Sequence, residues 1–268
     1  MMNLEQLCNK VCECVLETVE MIRKERETFS AESGVEVKGH SNFVTYIDKL
    51  SEKKLVGHLS DLLPEAGFIA EEGTSIKKGE VYNWVVDPID GTTNFIHGLT
   101  PHAISVALMR DQEVVIGVVC EISQGELFYA WEGSKAYLNH KEISVTSFQE
   151  HTSALIATGF PYTSFNKMEM YQHCLRELME KTGGVRRLGS AAIDICYVAC
   201  GRFEAFWEYG LHPWDVAAGI LILKQAGGKV SDFDGNDDYI FNGEIIATNA
   251  SYFGKFYEIV NRHLGSKL

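Results

Sequence analysis

Two aspartates three positions apart stand at the end of an apolar run: Trp84-Val85-Val86-Asp87-Pro88-Ile89-Asp90-Gly91-Thr92-Thr93-Asn94-Phe95. Pro88 disfavours helical geometry at Asp87 and supplies no N–H, so the strand is expected to end at Asp87, with its last side chain projecting from the sheet edge. Ligand sites of open sheets lie at such edges. Gly91 removes a side chain where an oxyanion would approach the backbone. Thr92 and Thr93 suit the start of a helix whose first N–H groups remain unpaired and can receive phosphate. Paired carboxylates beside an oxyanion cradle are chemically sensible when hard, oxygen-preferring cations bridge them to the bound anion. A turn and a helix cap would also account for both aspartates, so the rest of the chain has to decide.

Two further acidic positions have the same character. Gly67-Phe68-Ile69-Ala70 is an apolar run that ends in Glu71-Glu72. Since successive strand side chains point to opposite faces, one glutamate of the pair is expected at the site. Pro213-Trp214-Asp215 opens an apolar helix. An acid in a first helical turn suits the helix dipole, and it could equally be a third carboxylate on a shared cation.

The elements that must carry these residues can be read from periodicity. Leu4, Leu7, Cys8, Val11, Val15 and Ile22 recur at three- and four-residue steps and predict a long amphipathic amino-terminal helix. A polar stretch around Ser33 to Ser41 separates it from a second helical pattern, Asn42 to Leu63, closed by Pro64. Short strand-like runs follow: GFIAEE, YNWVVD, AISVALM, EVVIGVVCEI, ELFYAW and SALIAT. Beyond about Phe165, helices (Lys167–Lys181, Ala191–Cys200, Val216–Gln225) alternate with strands (Gly184–Leu188, Phe203–Trp207), and a last strand and helix close the chain. Helices interleaved with buried strands predict layered sheets covered by helices, an α/β (α+β) class. One domain is expected, built of two tightly packed lobes, 1–148 and 149–268, with the weakest join near Ser147 to Thr152.

Bulk properties narrow the function. The formal charge of -13, from 37 acidic against 24 basic side chains, opposes a nucleic-acid backbone as partner. Seven scattered cysteines argue against a disulfide scaffold and for a reducing, cytoplasmic setting. The amino terminus lacks the form of a secretory signal, and no apolar run reaches membrane-spanning length, so no membrane partner is expected.

The strings DPIDGTTNF and WDVAAG, the latter followed by Ala226-Gly227-Gly228, together resemble the two signatures of the inositol monophosphatases, within the lithium-sensitive, metal-dependent sugar-phosphatase superfamily. Phe43-Val44-Thr45-Tyr46-Ile47-Asp48, Ile69-Ala70-Glu71-Glu72 and Arg187-Leu188-Gly189-Ser190-Ala191-Ala192 extend the resemblance over almost the whole chain. It implies an αβαβα sandwich and Mg²⁺-dependent hydrolysis of a small phosphate monoester, inositol 1-phosphate first, by a metal-activated water. It implies two or three Mg²⁺ ions: Glu71, Asp87 and the Ile89 carbonyl would hold one, and Asp87, Asp90 and Asp215 another. The Gly91 and Thr92 amides would bind phosphate. Glu71 and the Thr92 hydroxyl would orient the water, with Asp48 accepting from that threonine. Asp90, Gly189, Ala191 and Glu208 would contact the substrate ring, and Lys38 would approach from a mobile loop. A homodimer and inhibition by Li⁺ are further implications.

Alternative substrates for the same chemistry are fructose 1,6-bisphosphate, histidinol phosphate and 3′-phosphoadenosine 5′-phosphate. A catalytically silent scaffold is the alternative of another class. Ser231-Asp232-Phe233-Asp234-Gly235 imitates an aspartyl-phosphate nucleophile motif, yet it stands too near the carboxyl terminus for the remaining elements of that chemistry and is better read as a turn. His97, His102 and His212 lack zinc-ligand spacing and are read as structural. Cys196 and Cys200 are read as core-facing, and of Arg186 and Arg187 one is expected at the surface.

Overall fold

A computed structural model of the chain describes residues 2–29, 35–39, 42–148, 150–162 and 165–266, with backbone alone for 35–39 and 42–44. The amino-terminal periodicity resolves as α1 (Leu4–Thr28), capped by the Asn3 side chain, which accepts the Gln6 amide at 3.0 Å. Its buried stripe includes Val11, Val15 and Ile22, each fully enclosed and each stabilising by roughly 1.5–3 kcal/mol.

The expected polar linker is partly strand. β1 (Val35–Gly39) pairs antiparallel with β2 (Asn42–Thr45), and α2 starts only at Tyr46 and runs Tyr46–Leu62. The cause is local: Thr45 and Asp48 form a capping box that fixes the helix start after the extended Phe43-Val44 pair. The backbone of Lys38 belongs to β1, and its side chain lies outside the described residues.

Two sheets follow. The larger has the order β3 (Gly67–Ala70), β4 (Tyr82–Asp90), β5 (Ala103–Arg110), β6 (Glu113–Glu121), β7 (Glu126–Trp131), β8 (Ala136–Leu138), β9 (Lys141–Ile143). Only its β3–β4 pair is parallel among the described pairs. The short helix α3 (Thr92–His97) leaves the end of β4. The smaller sheet has the order β11 (Gly184–Arg186), β10 (Leu155–Thr158), β12 (Ala205–Tyr209), β14 (Glu244–Asn249), β13 (Gly228–Ser231), with β10 parallel to both neighbours. Its helices are α4 (Met168–Lys181), α5 (Ala191–Ala199), α6 (Pro213–Gln225) and α7 (Phe253–Leu264).

These elements stack as an αβαβα sandwich. α1 and α2 pack together and cover one face of the larger sheet; α5 and α6 fill the space between the sheets; α4 and α7 cover the outer face of the smaller one. Three apolar cores mark the interfaces, around Val11 and Ile116, around Ile195 and Leu223, and around Trp207 and Phe256. The close approach of α6 to β6 depends on Gly117, where a Cβ would lie 2.5 Å from the Ala218 carbonyl oxygen. Because α5 and α6 are enclosed on both sides, they are apolar almost throughout, and their amino-terminal ends open at one rim of the sandwich.

Candidate active site

At that rim the ends of β4, β12, α5 and α6 converge on one pocket, lined by Glu71, Asp87, Ile89, Asp90, Gly91, Thr92, Gly189, Ala191, Glu208 and Asp215 among others. The strand does not stop at Asp87. β4 continues to Asp90 and its register against β5 slips between Asp87 and Asp90, because Pro88 interrupts the ladder without ending it. This irregularity brings Asp87 and Asp90 to the same site.

Each aspartate has one oxygen committed to backbone or hydroxyl donors. Asp87 Oδ1 accepts the Ile89 amide at 2.9 Å. Asp90 Oδ2 accepts the Ser190 hydroxyl at 2.7 Å and the Ala192 amide at 2.8 Å, at the start of α5. Asp215 Oδ2 accepts the His212 amide at 2.6 Å, at the start of α6. The three residues each offer an oxygen within 4.8 Å of the others. Three fixed carboxylates from two distant parts of the chain therefore face one point.

The fourth acid comes from the turn after β3. Glu52, buried on α2, accepts the Glu72 and Thr74 amides at 2.7 Å each and so fixes the turn that carries Glu71. Glu71 stands close enough to Asp87 for its charge to raise the Asp87 pKa. Of the Glu71-Glu72 pair, Glu71 is the one lining the pocket.

Thr92 opens α3 behind Gly91, whose φ of 91° and whose Cβ position 2.9 Å from the Gly189 carbonyl oxygen require glycine. The Thr92 hydroxyl lies 3.2 Å from Asp48 Oδ1 and 3.0 Å from the Ile89 carbonyl. Asp48 is fully buried, and its other oxygen accepts both the amide and the hydroxyl of Thr45. One side chain thus caps α2 and reaches the site.

Charge is the dominant feature. Burial first, then the charges of Glu71, Asp90 and Asp215, push Asp87 well above the ordinary carboxylate range. Burial and Asp90 do the same to Asp215, against the His212 amide. Burial lifts Asp90 to about 6 despite Ser190 and Ala192, and lifts Glu208 to about 8 despite Arg187. Such a group of buried acids is unfavourable unless protons or cations compensate it. An all-oxygen donor set with mutual repulsion fits a hard divalent cation, and the residues present match that chemistry.

Several lining residues were not legible as site residues in the sequence: Gly159, Phe160, Pro161 and Tyr162 after β10, and Ser190, His212 and Trp214. The Gly-Phe-Pro-Tyr string directly after an apolar run is the one signal that could have pointed to the first four. Arg187, just beyond the end of β11, reaches the pocket and donates to the Tyr162 hydroxyl at 2.6 Å, whereas Arg186, the last residue of that strand, is exposed. Asp232 accepts the Asp234 and Asn236 amides, a closed turn, consistent with its reading as a turn.

Comparison with known proteins gives one consistent result. The inositol monophosphatase family matches residues 3–264. The chain is 38% identical over 239 residues to the Nus factor SuhB of Pseudomonas aeruginosa, covering 87% of this chain and 88% of that one. It is 39% identical over 216 residues to the inositol-1-monophosphatase of Mesorhizobium japonicum, covering 80% and 81%. The solved structure of extragenic suppressor protein suhB from Bartonella henselae superposes with a TM-score of 0.90 at 34% identity, covering 96% of this chain and 98% of that one.

Proposed function

The chain belongs to the inositol monophosphatase family and is a phosphoric monoester hydrolase, and from that premise we propose that it hydrolyses inositol 1-phosphate to inositol and phosphate with Mg²⁺ held at the carboxylate cluster. The observation that carries the proposal is the convergence of Asp87, Asp90 and Asp215 within 4.8 Å in a pocket that Glu208 also lines. Glu71, Asp87 and the Ile89 carbonyl would hold one ion, and Asp87, Asp90 and Asp215 would hold another. Bound Mg²⁺ supplies positive charge that acidifies water and offsets the charge developing on the departing alkoxide.

The chain's own groups do the rest. The Gly91 and Thr92 amides, at the first turn of α3, receive phosphate oxygens. Thr92, with its hydroxyl proton directed to Asp48 or Ile89, presents its lone pairs to the attacking water. Glu71 receives that water's other proton, and the two acceptors together align it for in-line attack. Burial pushes the Glu208 carboxyl up to about 8, against the Arg187 charge, and the group is placed to accept from a ring hydroxyl. Asp90, Gly189 and Ala191 complete the ring contact. Self-association as a homodimer and inhibition by Li⁺ in competition with Mg²⁺ belong to the same reading.

Relatives named Nus factor SuhB and relatives named inositol-1-monophosphatase are about equally similar to this chain, at 38% and 39% identity, so degree of identity does not separate the two names. The test is phosphate release, with and without Mg²⁺, from inositol 1-phosphate, fructose 1,6-bisphosphate, histidinol phosphate and 3′-phosphoadenosine 5′-phosphate. Mg²⁺-dependent release fastest from the inositol ester is expected. A preference for another ester would keep the chemistry and reassign Glu208, and release from none would overturn the reading.

A further inference from the structure

Gly159 is the first residue beyond β10, at the position where β10 and β12 run side by side toward the pocket. The last registered pair of that parallel ladder is Thr158 with Trp207, so Gly159 and Glu208 are the next neighbours along it. Glu208 is 8% exposed and its carboxylate lies against Gly159: a Cβ added there would stand 2.0 Å from both Glu208 oxygens and 2.1 Å from the carboxyl carbon. Those separations are far inside van der Waals contact. Gly159 does not adopt the left-handed conformation in which glycine is required by its backbone, so the space taken by Glu208 is what alanine would violate there.

The glycine is itself held from behind. The Tyr171 hydroxyl, on α4, donates to the Gly159 carbonyl at 2.7 Å and also meets the Thr158 hydroxyl, which lies 2.8 Å from the Trp207 carbonyl. Tyr171 and Trp207 stack at 5.8 Å between ring centroids. The adjoining ends of β10 and β12 are therefore one rigid unit, and the backbone of Gly159 cannot easily yield to a larger side chain.

We propose that Gly159 is a positioning residue for Glu208: its missing side chain is the seat in which the Glu208 carboxylate is held toward the pocket, and it thereby sets selectivity for esters whose alcohol is a hydroxyl-bearing ring. The proposal rests on the reading of Glu208 as the ring contact. In Gly159→Ala the carboxylate, as the free end of a side chain, is the part that moves.

The test measures kcat and KM for inositol 1-phosphate and for ethyl phosphate, which has no ring hydroxyls, in the parent, Gly159→Ala, Glu208→Ala and the double variant. Selectivity is the ratio of the two kcat/KM values. Gly159→Ala is expected to lower that ratio about tenfold, mainly through KM for the inositol ester. The double variant is expected to fall no further than Glu208→Ala alone, since the two changes act on one contact. A ratio for Gly159→Ala within about twofold of the parent, with Glu208→Ala lowered, overturns the proposal and keeps the reading of Glu208; so do losses that multiply in the double variant. Glu208→Ala with an unchanged ratio overturns that reading and the proposal with it. If Gly159→Ala does not fold, a thermal transition restored by adding Glu208→Ala supports the proposal, and failure of both variants to fold overturns it.

Discussion

The carboxylate of Glu52 binds the amide of Glu72 at 2.7 Å, and its second oxygen binds the amide of Thr74 at the same distance. A fully buried acid on α2 thus shapes the turn that presents Glu71 to the site. In Glu52→Gln one oxygen becomes an amide donor facing an N–H, so a buried bond is lost and its donor left unpaired. The expected cost is about 1–3 kcal/mol, read from urea midpoints. The same variant is expected to need more Mg²⁺ for half-maximal phosphate release, because Glu71 is less firmly placed. An unchanged Mg²⁺ requirement would separate Glu52 from the metal site.

Asp87 is 2% exposed and surrounded by Glu71, Asp90 and Asp215. Asp87→Asn removes one charge from this repelling group. In the presence of a chelator the variant is therefore expected to melt a few degrees above the parent. Added Mg²⁺ is expected to raise the parent's melting temperature and to move the variant much less. Turnover is expected to fall at least a hundredfold, on the order of what loss of a metal-site contact costs, and saturating Mg²⁺ should not restore it. Near-normal turnover at high Mg²⁺ would remove Asp87 from its bridging role.

Thr92→Val deletes the hydroxyl shared between Asp48 and the Ile89 carbonyl at nearly constant volume. Turnover is expected to drop about a hundredfold, with KM little changed, if the hydroxyl acts on the attacking water rather than on bound substrate. Thr92→Ser should keep most of the rate. Equal losses in both variants would point to packing of the threonine methyl instead.

Glu177 gives the fold a pH dependence away from the site. Burial alone would raise its pKa, but hydrogen bonds from His263, Lys181 and Arg262 overcome that and hold it at about 2. A carboxylate whose folded pKa is depressed stabilises the fold above its unfolded value near 4.5, and that stabilisation is lost as pH falls toward 2. Because Arg262 and Lys181 are more than half exposed, screening limits the contribution to about 1–2 kcal/mol. Glu177→Gln should show this deficit at pH 7 in urea unfolding, and the difference from the parent should shrink below pH 4. A deficit independent of pH would assign the effect to packing between α4 and α7.

Asp87, Asp90 and Asp215 were legible in the sequence because their placement is a local matter: a proline and a glycine after an apolar strand, and a proline opening an apolar helix, fix the backbone within a few residues. Alternating helices and strands predicted the layered class, and the family resemblance carried by DPIDGTTNF and WDVAAG extended this to the αβαβα order, to the choice of Glu71 over Glu72, and to Asp48, Thr92 and Glu208. The local reading failed where neighbouring strands intervene. β4 runs through Pro88 because β5 holds it on the far side of the slip, and part of the stretch before α2 forms two paired antiparallel strands. The supporting contacts lay beyond any local pattern. Thr92 meets Asp48 across 44 positions, Ser190 meets Asp90 across 100, and Gly159 acquires its importance only because β12 brings Glu208 beside it. Periodicity and turn chemistry act over single turns and strands, whereas these contacts depend on how separate elements stack, which only the packed sandwich decides.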